Sequence, residues 1–293
     1  MTARAVALAC MALALGALAF RFLVLPRLDV EERGNLPFLE STAAKLGGTA
    51  ALMLAVVALP RLFLQASTLV QPPDPVWPMA VNVLGTTWGL AMIVQVLAAL
   101  AALAGFALAR RRRATGWRIA LIALIAIAFS AACMGHPMAS ARTAWASVPI
   151  DALHVLGVGA WVGTLAVLAR LSFSGDLRSE GGGTIAALIT AFHRVALSSA
   201  AIVIATGTLS VLLRVDRLRH LLTSPYGTVF FVKLVAVLVV MCLGAWNSRT
   251  AARRAQHGAM RSVRISLATE ALFALVTIVA TSVLVATDPP GEM

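Results

Sequence analysis

Long apolar stretches alternate with short polar ones along the whole chain. A spanning helix needs about 20 mostly apolar residues. Eight windows meet that length, at roughly 4–26, 44–66, 82–109, 117–136, 149–171, 189–213, 227–247 and 265–286. Helices are the expected element, because an open strand in lipid leaves its backbone groups without partners. The pattern predicts an all-α polytopic bundle of eight transmembrane helices, forming a single integral membrane domain over 1–293. The first window resembles a signal peptide, with Arg4 ahead of an Ala/Leu-rich run. The run continues through Phe20 to Pro26 with no clear cleavage site, so an uncleaved first helix is expected.

Composition supports the bilayer. The chain is 60% hydrophobic and 12% charged, with mean hydropathy +0.90, and soluble domains carry about 25% charged residues. Three cysteines, Cys10, Cys133 and Cys242, form no CxxC and no disulfide framework. The patterns GxxxxGK[ST], HExxH and GxSxG do not occur, so neither a hydrolase nor a nucleotide-driven pump is expected, and no enzyme.

Charge adds topology. The net charge is +12, but the cations fall in short clusters between apolar runs, which is not the pattern of a nucleic-acid face. Seventeen of them follow the first, third, fifth and seventh windows, including Arg110 to Arg113 and the Arg249 to Arg264 group. Six lie on the other side: Arg4, Arg61, Arg142, Arg214, Arg217 and Arg219. The richer side is expected to be cytoplasmic, which puts both termini outside.

That orientation places "CMGHPM" (133–138) at the outer end of the fourth window, and "VPIDALHVLGVGAWVG" (148–163) opens the fifth from the same side. At about 100° per residue, Asp151, His154 and Trp161 share a face. A carboxylate beside an imidazole can fix which ring nitrogen meets a metal. The plainer reading is that Asp151 caps the helix and His154 bonds within the bundle. His136, one short connection away, brings a second imidazole to the same mouth. Two imidazoles with thioethers from Met134 and Met138 suit copper. Both methionines reach only if the chain bends at "GHP", and each taken singly reads as packing. Gly159 and Gly163 form a GxxxG that admits a close neighbour helix. Lys233 lies deep in the seventh window, seven residues after Tyr226, with Asp151 its better-placed partner and Glu270 nearer the inner side. His193 begins the sixth window on the inner side, His220 falls in an interfacial stretch and His257 in a basic loop.

These residues carry a resemblance. "DALHVLGVGAWVGTLAVL" (151–168) resembles the signature of the CopD family of bacterial copper-resistance and copper-uptake membrane proteins. Gly135 and His136 before it, Thr206 and Gly207, "TSPYGTVFFVK" (223–233) and Asn247 are similar to the family pattern in order and spacing. "GTTWG" at 85–89 is a weaker parallel. The CopD-like region is set at 82–250. At "AFHRVAL" the chain departs, with His193 where the family tends to have a small hydroxyl residue.

The resemblance implies a multi-pass protein of the bacterial cytoplasmic membrane that moves a copper ion inward from the periplasm. It also implies a separate CopC-like periplasmic partner beside the surrounding lipid. His136 and His154 are the expected ligands, Met134 and Met138 secondary ones, and Asp151 the residue orienting His154. Trp161, Tyr226 and Lys233 line the pathway. Two rival readings remain: a haem-binding electron-transfer protein, with a bis-histidine pair across two helices, and an assembly factor that delivers copper without transporting it.

Overall fold

The computed structural model describes residues 2–29, 34–71, 73–135, 144–174, 183–214 and 224–285. Among them there is no strand, and eight helical stretches are long and apolar enough to cross a membrane. The first runs over Thr2–Arg27 as α1 (Thr2–Ala19), a π turn (Phe20–Val24) and a 3-10 turn (Leu25–Arg27). Then come α2 (Leu36–Ser67), α3 (Val76–Leu84), α4 (Thr87–Arg110) and α5 (Ala114–Cys133). The fifth stretch joins α6 (Ala144–Val158) to α7 (Thr164–Ser172) through a π turn at Gly159–Gly163. The last three are α8 (Gly183–Arg214), α9 (Pro225–Gln256) and α10 (Met260–Leu284).

The outside of the bundle is apolar. Leu97, Ile122, Val235 and Leu272 are all exposed. A soluble surface does not tolerate so many, whereas lipid covers them at no cost in lost hydration. The chain is an integral, multi-pass membrane protein. With lipid outside, helix packing rests on close fit rather than on burial of apolar area. α1 is the centre of that fit, lying against α2, α5, α7, α10 and the Gly159–Gly163 turn. The GxxxG expected to admit a neighbour admits α1: a Cβ at Gly159 would run into Leu15, and one at Gly163 into the Ala12 carbonyl. Thr164 Oγ1 donates to Gly16 O across the same contact, at 3.2 Å.

The third apolar window is divided by the structure. A turn at Gly85–Thr86 separates α3 from α4. Thr86 is the N-cap of α4, its Oγ1 accepting from Gly89 N at 3.2 Å. Gly89 presses on the Val83–Leu84 backbone, where a Cβ has no room. "GTTWG" thus supplies a cap and a tight corner, and hydropathy averaging hides both. α3 leans on α2 through Trp77, stacked on Phe63 at 5.9 Å.

At the end of the bundle away from Asp151, a buried carboxyl ties α9 to α10. Asn247 Nδ2 donates to Glu270 Oε2 at 2.7 Å, and Ser266 Oγ donates to Asn247 Oδ1. Glu270 and Asn247 are both buried, and Gly244 leaves room for the carboxyl. Asn247→Leu strips a buried acceptor of its donor, which costs about 1–3 kcal/mol. Its thermal midpoint in detergent should therefore fall, while Glu270→Gln, which keeps an acceptor, should fall less. Equal midpoints for Asn247→Leu and the parent would contradict this account of the α9–α10 contact.

Candidate metal site

The helices run up and down in turn, so α2, α5, α8 and α10 end where α1, α4, α6 and α9 begin. A cavity of about 1080 Å³ lies at that shared end. Met11, Arg61, Met134, Asp151, His154 and Lys233 are among the side chains lining it.

α6 and α8 build one wall. They lie against each other, with Gly157 of α6 tight on Val203 of α8. Residues three apart on α6 then face residues four apart on α8. His154 Nδ1 is 3.0 Å from Thr206 Oγ1, and Asp151 Oδ1 accepts from Ser210 Oγ at 2.7 Å. Thr206 Oγ1 also donates to Ile202 O in its own helix, at 2.6 Å. A hydroxyl has one proton to give. With that proton committed to Ile202, the oxygen accepts from His154 Nδ1–H, which leaves the ring lone pair on Nε2. This is the arrangement by which a supporting group prepares a histidine to bind metal. Gly207 lies under the ring, where a Cβ would stand 3.4 Å from Cε1. Sequence reasoning gave the orienting task to Asp151. The structure adds Thr206, which the sequence offered only as part of a "TG" motif.

Thr206→Val should weaken copper binding by about 10- to 100-fold, as loss of a supporting hydrogen bond does at metal sites. Thr206→Ser should retain it. Copper titration of the purified variants checks this, and a valine variant that binds like the parent would remove Thr206 from the site.

A second wall comes from α1, α2, α4 and α5. Arg61 Nη1 donates to Gln95 Oε1 at 2.7 Å, and Nη2 lies 3.8 Å from Met134 Sδ. Gln95 Nε2 reaches both Met11 Sδ and Ser130 Oγ at 3.5 Å. Gln95 is only 1% exposed, so this chain runs from the cavity into the core. Sequence reasoning missed it. In the sequence Arg61 reads as a topology charge, and Gln95 is one polar residue inside "LAMIVQVLAAL". A lone amide at that depth is itself a signal, though it does not say which neighbours it meets.

The other expected residues fall as follows. Lys233 is two turns into α9, whose start is fixed by Ser224, the N-cap accepting from Gly227 N at 3.1 Å, and by Pro225 after it. Lys233 and Asp151 line the same cavity. Tyr226 lies in the first turn of α9. Trp161 sits in the buried core of the π turn and is not among the cavity-lining residues. His136 and Met138 lie outside the described residues. Among the described residues, no three His, Cys, Asp or Glu side chains gather as a ligand set. The described donors at this cavity are the His154 imidazole, the Asp151 carboxylate and the thioethers of Met11 and Met134.

Residues 186–284 match the family model of CopD, copper resistance protein D. The chain carries a CopD-family region. It spans most of α8 and all of α9 and α10, and so contains Thr206, Gly207, Ser210, Lys233, Asn247 and Glu270. Met134, Asp151 and His154 lie before it. Comparison with curated proteins and with solved structures gives no match. The matched region, 186–284, is thus similar to the copper-resistance protein D family.

Proposed function

We propose that this chain captures a copper ion in the end cavity and passes it through the bundle, from the periplasmic side of the bacterial inner membrane toward the cytoplasm. The observation that carries the reading is the His154–Thr206 pair. It presents an imidazole with its lone pair on Nε2 to a cavity that also holds the Met134 and Met11 sulfurs. Imidazole binds both copper oxidation states, and thioether favours Cu(I). The direction is supported by charge: the clusters of Arg110 to Arg113 and Arg249 to Arg264 gather at the end away from the cavity, as positive-inside anchors do. His136, from the connection between α5 and α6, is the proposed second imidazole. Met138 is a further sulfur, Trp161, Tyr226 and Lys233 are pathway residues, and a separate CopC-like protein is the proposed donor.

Expression of the chain, with His154 intact or replaced by alanine, tests the reading through cellular copper. Accumulation should rise with the parent and fall to the vector level with His154→Ala. Equal accumulation by the two would overturn the assignment.

A further inference from the structure

The end cavity also holds two arginines, Arg4 and Arg61, that the copper reading does not use. Arg4, Arg61 and Lys233 line it against one carboxylate, Asp151. With histidine neutral, the described lining residues carry 3 − 1 = +2. Arg4 and Arg61 line the same cavity, so their like charges are gathered at one end of the bundle. An arginine in a span ordinarily snorkels, extending its head to the headgroup region. Arg61 does not. Its Nη1 is held by Gln95, a core residue anchored in turn at Ser130. Its other contact is the Met134 thioether. Both partners are neutral, and a guanidinium has five N–H donors. A fixed, inward-turned cation with neutral partners, half-buried beside a second cation, is a costly arrangement unless an anion completes it.

We infer that Arg4 and Arg61 form a binding site for a phosphate-type oxyanion, either free or carried on a lipid headgroup. A planar guanidinium fork matches two oxygens of such a group. The inference stands whether or not copper is the cargo. If it is, the bound anion cancels the positive charge that a copper ion entering beside Arg61 would otherwise meet.

Thermal unfolding of the full-length protein tests this, since a ligand that binds the folded state raises its midpoint. One arm titrates inorganic phosphate in a non-ionic detergent. The other compares vesicles of phosphatidylcholine alone with vesicles of phosphatidylcholine plus phosphatidylglycerol. A rise with phosphate identifies a free anion. A rise with phosphatidylglycerol alone identifies a headgroup. Arg61→Gln should weaken the responding ligand by at least about tenfold, the loss of one charge-assisted contact, and Arg61→Lys should lose less. If Arg61→Gln does not fold, Arg4→Gln, in the first turn of α1, gives the same readout. No rise with either probe overturns the site. So does a rise that the Arg4 and Arg61 substitutions leave unchanged.

Discussion

Gly163→Leu is expected to yield no folded, monodisperse protein. A Cβ at Gly163 would fall inside the Ala12 carbonyl oxygen, and one at Gly16 would fall on the Gly163 backbone. The obstructing atoms are backbone on both sides, so no rotamer change makes room. α1 and the π turn would have to separate, losing the Thr164–Gly16 hydrogen bond and the dispersion contacts that hold helices together in lipid. α1 lies against α2, α5, α6, α7, α10 and the Gly159–Gly163 turn, so the displacement spreads through the bundle. A loss above about 4 kcal/mol is expected, in the range reserved for severe packing errors. Gly183→Leu is the control, because nothing stands within 4 Å of a Cβ there. Size-exclusion profiles and thermal midpoints of the two variants check the claim. A Gly163→Leu protein that elutes and melts like the parent would contradict the packing described.

The second large effect is on metal. His154→Ala removes the one described imidazole at the cavity. Copper affinity should fall by at least about a hundredfold, at or beyond the loss expected for a supporting partner such as Thr206. The fold should survive, because His154 is only half-buried and alanine leaves α6 intact. Met134→Leu keeps the volume and loses one sulfur. It should cost less than His154→Ala if the imidazole leads and the thioether assists.

The eight spans were legible in the sequence because each is a single long apolar run, and hydropathy reads runs. Details that depend on one or two residues within a run were not. The corner at Gly85–Thr86 and the π turn at Gly159–Gly163 leave the average hydropathy unchanged. The candidate site divides along the same line. His154, Asp151 and Met134 stood out as ionisable or sulfur-bearing residues near one expected mouth. The Gly159–Gly163 pair correctly announced a close neighbour but not that the neighbour is α1. Thr206 was visible only as a motif letter, since its value lies in the register of α8 against α6, which no single helix encodes. Arg61 and Gln95 are 34 residues apart and meet only because α2 packs on α4. The expectation for His136 and Met138 rests on the sequence and the CopD resemblance alone.

The most direct test of copper capture and transport is to measure bound copper and copper uptake together, on purified protein reconstituted in vesicles, with His154 intact and with His154→Ala. The parent should bind copper and carry it into the vesicle lumen, and the alanine variant should lose both. Binding and uptake that persist without His154 would contradict the site, and a parent that binds copper but carries none would contradict transport.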